Sequence, residues 1–126
     1  MGPGRTGTLG KQAEQEALGF LVRRGLTLIE ENFQTRGGEI DLILLHDDCL
    51  VFVEVRSRTS IQFSSPELTV DSRKQLKIIR TAAMFIAANR RFARHTVRFD
   101  VVAISAGQTD SIRWLQDAFR PSDSAL

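Results

Sequence analysis

The chain has 126 residues, a formal net charge of +2, a 42% hydrophobic composition and a single cysteine, which bounds it to one domain. Cys49 has no partner in the sequence, which excludes an internal disulfide and fits a reducing compartment. No stretch approaches the ~20 apolar residues of a membrane span, and Met1 to Gly10 holds no apolar run, so the sequence predicts a cytoplasmic protein with no signal peptide and no membrane partner.

Residues 1–9 carry glycines and a proline and read as a flexible N-terminal arm. Gly2, Gly4 and Gly7 match GxGxxG by spacing, but no strand precedes them, and a dinucleotide site needs one. Residues 10–24 predict a helix. Ala13, Ala17, Phe20 and Leu21 form an apolar arc on a helical wheel, with Leu18 at its edge, and Gly25 ends the run. Glu14 falls inside that arc. Two readings fit it: a rim carboxylate that reaches solvent, or a core-side acid that needs a partner or a cation.

Residues 26–35 predict a first strand, and Arg36, Gly37 and Gly38 a turn. Residues 39–45 and 50–56 are the clearest strands; they flank His46-Asp47-Asp48-Cys49 and predict a hairpin. Residues 60–70 contain Pro66 and read as irregular, with Gln62 and Phe63 in a segment suited to a mobile loop. Residues 71–91 predict a long, largely buried helix capped by Asp71 or Ser72. Leu76, Ile79, Ala83, Ile86 and Ala87 recur along it at helical spacing, and Ile78, Ala82 and Phe85 extend the apolar surface. Residues 97–105 and 111–115 predict two further strands around a Gly107 turn. The main domain spans 10–119, and 120–126 form a frayed tail. The order helix, three strands, helix, two strands predicts an α/β fold: a mixed sheet core flanked by helices.

Between Arg73 and Arg98 lie Arg73, Lys74, Lys77, Arg80, Arg90, Arg91, Arg94 and Arg98, with no acid among them. Such a segment either attracts phosphates or is a solvated basic helix face balanced elsewhere.

The hairpin carries the chemistry. With its turn centred on Asp47-Asp48, Asp41 lies opposite Glu54 and Glu39 opposite Arg56. Ile40, Leu42, Leu44, Val51, Val53 and Val55 then share the other face, which is core. Ile43, Leu45, Leu50 and Phe52 bury the acid-bearing face near the turn, so the acids mark the open end. Opposed carboxylates repel unless a cation or proton lies between them, and oxygen ligands suit Mg²⁺ or Mn²⁺. Zinc fits poorly, because Cys49 and His46 sit at the far turn and His95 has no partner. The competing reading is ordinary salt bridging by Arg36, Arg56 or Arg58. His95 reads as a surface or phosphate contact, Trp114 as packing, and Asp100 as a salt-bridge partner. Ser57 and Thr59 suit either a strand or a substrate contact.

The segments Gly38-Glu39-Ile40-Asp41-Leu42-Ile43 and Leu50-Val51-Phe52-Val53-Glu54-Val55-Arg56 resemble the PD-(D/E)xK nuclease core: an acid on one strand, then an acid-x-basic triplet on the next. Ala13-Glu14 with Ala17, Asn32, Val70, Lys74 and Arg98-Phe99-Asp100-Val101-Val102 narrow the likeness to the YraN-like family of bacterial proteins, over roughly residues 10 to 105. That resemblance implies a restriction-endonuclease-like fold, similar to archaeal Holliday-junction resolvases. It implies metal binding by Asp41 and Glu54, with Glu14 as the first-helix acid and Arg56 in the place of the motif lysine. It further implies nucleic-acid contacts by Lys74, Lys77, Arg58 and Arg36, with Gln75 beside them. The activity implied is Mg²⁺- or Mn²⁺-assisted phosphodiester hydrolysis in DNA, branched or damaged DNA included, by a chain that pairs as a homodimer. A guanidinium stays protonated and cannot serve as a base. Arg56 therefore leaves two alternatives open beside the nuclease: a catalytically weak nucleic-acid-binding module, and a scaffold domain that keeps only the fold.

Overall fold

The structure, a computed structural model, describes residues 8–58, 70–105 and 112–121, with the backbone alone for Thr8, Leu9 and Arg58. The glycines of the N-terminal arm, Thr59, Gln62, Phe63 and the expected Gly107 turn lie outside the described residues, as does the side chain of Arg58.

Helix α1 spans Thr8–Arg23. It stops where predicted, because Gly25 adopts φ 95°, a conformation open to glycine. The amide of Gly25 donates to Val22 O at 3.0 Å and that of Leu26 to Leu21 O at 3.1 Å, which satisfies the last carbonyls of the helix. Strands β1 (Thr27–Thr35), β2 (Gly38–His46) and β3 (Cys49–Arg58) follow, then helix α2 (Ser72–Ala88), a 3-10 turn at Arg90–Phe92, and strands β4 (Thr96–Ser105) and β5 (Ile112–Phe119). They form one five-stranded sheet in the order β1-β2-β3-β4-β5. All neighbours are antiparallel except β3 and β4, which run parallel with α2 as their crossover. This is the predicted mixed α/β sheet between helices.

Each helix covers one face. On one side Ala13, Ala17 and Leu21 of α1 pack on Leu42, Leu44, Val51, Val53, Val102 and Ile104. On the other, Ile78, Ile79, Ala82 and Phe85 of α2 pack on Ile43, Leu50, Phe52, Val101 and Ala103. The hairpin register is the predicted one from Leu42↔Val53 through His46↔Cys49, with Asp47 turning at φ 56°.

Four expectations are corrected. Ile40 does not share the face of Leu42 and Leu44; it belongs to the α2 cluster. Side-chain alternation therefore breaks between Ile40 and Leu42, beside Asn32 of β1, which has φ 50°. The α2 helix ends at Ala88 rather than residue 91. Asn89 closes it by donating its amide to Ile86 O and its Nδ2 to Phe85 O, at 3.1 and 2.9 Å. Its buried face is Ile78, Ile79, Thr81, Ala82 and Phe85, while Ala83 and Ala87 are exposed, so it is amphipathic and not largely buried. Phe85 sets this phase, because its ring packs against Phe33, Phe52 and Phe92 at centroid distances of 5.2, 6.1 and 5.9 Å. Strand β5 runs on to Phe119, past the expected end at 115: the ladder shifts between Phe99 and Val101, Asp117 turns at φ 57°, and Phe119 regains its place opposite Phe99.

Asp100 is the buried anion of β4, and the predicted ion pair forms. Arg98 Nε and Nη2 donate to its two oxygens at 2.9 and 3.0 Å, joined by Trp114 Nε1 and the Asp117 amide, both at 2.9 Å. Trp114 is thus held inside the fold, edge-on to Phe20 at 6.1 Å.

Candidate metal centre

Glu14 lies on the core side of α1, where the helical wheel places it. It is 6% exposed, so it is not a rim residue. Asn32 Nδ2 donates to its Oε1 at 3.0 Å. That bond explains the left-handed backbone of Asn32: asparagine tolerates this region, and the residue turns its amide toward α1. Burial raises the Glu14 carboxyl above its ordinary pKa. Lys11 opposes the shift, and Glu39, Glu31 and Glu54 add to it.

Asp41 stands where the hairpin opens. The ladder pairs of β2 and β3 end at Leu42↔Val53, so the expected facing pair Asp41 and Glu54 is not a ladder pair. The Val55 amide instead donates to Asp41 Oδ2 at 2.8 Å. A side chain has replaced a strand partner, and the two strands part around it. Burial, then the nearby charge of Glu54, push the Asp41 carboxyl up to about 8; the Val55 bond works against the shift, and Glu14 and Glu39 work with it. A carboxylate in this setting is short of positive charge.

Carboxylate oxygens of Glu14, Glu39 and Asp41 all lie within 4.8 Å of one another. Glu39 was not among the residues singled out for metal binding. The signal for it was present, since residues i and i+2 of a strand share a face, but the continuous ladder expected there assigned it to Arg56. Glu54 lines the same cavity of about 500 Å³, from the α2 side, and accepts an ion pair from Lys74 Nζ at 2.8 Å. The cavity sits at the end of the sheet where α1 comes from one face and the start of α2 from the other. Asp71 caps α2 there by accepting from the Lys74 amide at 2.9 Å.

Gly38 lets α2 come this close. A Cβ on it would lie 2.8 Å from Thr81 Oγ1 and 3.5 Å from Lys77 O. Lys74 and Lys77 line the cavity, and Lys77 also lines an adjoining groove that holds Arg36 and Glu39. Gln75 turns away and donates to Val70 O at 2.7 Å. Arg56 is not among the residues lining the cavity; it sits on β3 beside Ala103, and its Nε is buried with no hydrogen-bond partner among the described residues. The structure thus brings together Glu14, Asp41, Glu54, Lys74 and Lys77, sets Arg36 next door and leaves Arg56 aside. His46 belongs to another network: its Nδ1 lies 3.0 Å from Arg98 Nη2.

The profile of Uncharacterised protein family UPF0102 matches residues 13–104. The chain belongs to the UPF0102 family. This is the YraN-like family that the strand segments resemble. A UPF0102 protein of Stutzerimonas stutzeri (strain A1501) is 46% identical over 111 residues, which cover 87% of this chain and 92% of the relative. One of Nitrosomonas europaea is 42% identical over 116 residues, 92% and 97% of the two chains. One of Saccharophagus degradans is 47% identical over 110 residues, 87% and 91%. The UPF0102 span holds Glu14, Glu39, Asp41, Glu54 and Lys74 and leaves β5 outside. No helix among the described residues is long and apolar enough to cross a membrane.

Proposed function

We propose that this UPF0102 protein is a metal-dependent nuclease of restriction-endonuclease-like architecture that hydrolyses phosphodiesters in DNA in the cytoplasm. The observation that carries the proposal is the convergence of Glu14, Glu39 and Asp41 within 4.8 Å, with Glu54 across the cavity. The donor set fits the group. All its atoms are carboxylate oxygens, which suit Mg²⁺ or Mn²⁺ rather than zinc or copper. Desolvation and mutual repulsion, which raise the Asp41 and Glu14 pKa values, are relieved when a dication joins them.

Glu14, Glu39 and Asp41 would hold the ion, and Glu54 would complete the acidic wall. A bound dication supplies Lewis-acid polarisation of a phosphate and eases deprotonation of the attacking water. Asn32 fixes the Glu14 carboxylate, and the Val55 amide fixes that of Asp41. The Lys74 ammonium takes the part of the motif cation. It sits at the cavity beside Glu54, where positive charge stabilises the charge that develops on the phosphoryl oxygens.

A second reading rests on Arg56. Its guanidinium stands in the motif-lysine position yet stays out of the cavity, as in a module that binds nucleic acid without cutting it. The experiment that separates the two is cleavage of labelled single-stranded, duplex, flap and four-way-junction DNA with Mg²⁺, Mn²⁺ or EDTA. The nuclease predicts metal-dependent cleavage that vanishes in Asp41→Ala/Glu54→Ala. Salt-sensitive binding without cleavage identifies the binding module, and neither leaves only a scaffold.

A further inference from the structure

The acid cavity takes in Arg73, Lys74 and Lys77 at the start of α2, but not Arg80 or the arginines just past the end of the helix. Arg73, Lys77 and Arg80 are all exposed on α2. At 100° per residue they fall within an arc of about 60°, a single stripe along the first half of the helix, which carries no charge from Thr81 to Ala88. At the far end, Arg90, Arg91, Arg94 and His95 line a second cavity of about 530 Å³, bordered by the hairpin turn at Asp48. The Arg91 guanidinium lies over the Phe92 ring at 4.6 Å, and His95 packs edge-on to the same ring at 5.3 Å, so a buried aromatic anchors the cluster. Arg80, Arg90 and Arg94 make no ion pair among the described residues. All three are exposed.

We infer that the outer face of α2, from Arg73 through Arg80 to the Arg90–Arg94 cleft, is a track for the phosphate backbone of a nucleic-acid duplex whose other end lies in the acid cavity. The inference rests on the nuclease reading for what the cavity does, but the track binds whether or not the cavity cuts. Helix α2 has 17 residues and is therefore about 25 Å long at ~1.5 Å per residue. At ~3.4 Å per base pair this spans roughly 7 base pairs. The ligand is thus a strand that continues about two-thirds of a helical turn beyond the cavity, not a nucleotide or a dinucleotide end. Chemistry also selects a duplex over a single strand. Single-strand binders add exposed aromatic platforms to their cationic groove. Among the described residues the exposed large hydrophobics are Val22, Met84, Val97 and Leu115, none of them aromatic. The described face of α2 thus offers cations without stacking platforms, which suits a backbone whose bases are already paired.

The test is binding of the whole chain to a labelled DNA duplex of about 20 base pairs, in EDTA, by fluorescence anisotropy over a salt series. Each phosphate contact contributes about 0.9 to the slope of log K against log salt, so Arg90→Ala/Arg94→Ala is expected to lower that slope by about 2. Arg90→Lys/Arg94→Lys is expected to retain it, and Arg23→Ala, at the end of α1, to leave it unchanged. Affinity is expected to collapse when the duplex is cut below roughly 7 base pairs. An unchanged slope in the double alanine variant, equal loss in Arg23→Ala, tighter binding of the single strand, or no duplex binding by the parent would each overturn the track. Binding that depends on Arg90 and Arg94 but never leads to cleavage would keep the track and sink the nuclease. Metal-dependent cleavage with an unaltered slope would do the reverse.

Discussion

The backbone N–H of Val55 donates to the carboxylate of Asp41 at 2.8 Å, in place of a ladder bond between β2 and β3. One side chain thereby opens the hairpin and stands half-buried in the cavity with Glu14, Glu39 and Glu54.

That position links stability to pH. Asp41 has its carboxyl raised from 3.8 to about 8. Between these values the folded chain keeps a proton that the unfolded chain has lost. The contribution of this group to stability is therefore full below about 4 and is lost as pH rises toward 8. Thermal unfolding in EDTA across this range is expected to show the decline. Asp41→Asn shrinks it to the share left by Glu14, whose carboxyl burial also raises, and Mg²⁺ or Mn²⁺ reverses it in the parent by favouring the ionised carboxylates. A parent whose midpoint holds level from pH 4 to 8 contradicts this placement of Asp41.

Lys74 separates catalysis from stability. Its side chain is 48% exposed, so its ion pair with Glu54 contributes at most about 1 kcal/mol to folding. On the proposed nuclease reading it is the cation beside the reacting phosphate and contributes far more to the rate than to folding. Lys74→Ala is expected to lower the single-turnover cleavage rate by about 10²-fold or more with little change in unfolding midpoint. Arg56→Ala, outside the cavity, is expected to reduce the rate less. Equal rate losses in the two variants would return the motif role to Arg56.

Gly38→Ala tests the seating of α2. The added methyl meets Thr81 Oγ1, which is buried and donates to Lys77 O at 2.7 Å, so it has little room to move. A loss of about 1–3 kcal/mol is expected in denaturant unfolding. The displaced helix also carries Lys74 from Glu54, so the cleavage rate falls with it.

Asp100→Ala provides the opposite control. The change strands the Arg98 guanidinium and the Trp114 and Asp117 N–H groups, and an expected cost of about 3–5 kcal/mol follows from breaking a buried charge pair. Metal binding by the folded fraction is expected to be unaffected, because this network lies apart from the acid cavity.

The acids legible in the sequence were those whose position followed from local period. Glu14 violates the apolar arc of a helix, and the Asp47-Asp48 turn fixes the hairpin register, so both needed only a wheel and a pleat. Ile40 departs from its expected face because alternation breaks between it and Leu42, where Asp41 bonds the Val55 amide, and no period encodes that bond. The phase of α2 was ambiguous for a related reason. Ala83 and Ala87 match the apolar repeat as well as Ile78 and Phe85 do, and only the aromatic cluster of Phe33, Phe52 and Phe92 decides between them. Lys74 was visible as a charge, but its distance to Glu54 depends on how closely α2 packs over Gly38.

The most direct test is the number of Mn²⁺ ions bound, read by electron paramagnetic resonance titration of the free protein near neutral pH. The acid cavity predicts saturable binding in the parent, abolished by Asp41→Asn, weakened by Glu39→Gln and intact in Arg90→Ala/Arg94→Ala. A parent that binds no Mn²⁺, or an Asp41→Asn variant that binds it as tightly as the parent, would contradict a metal centre at Asp41.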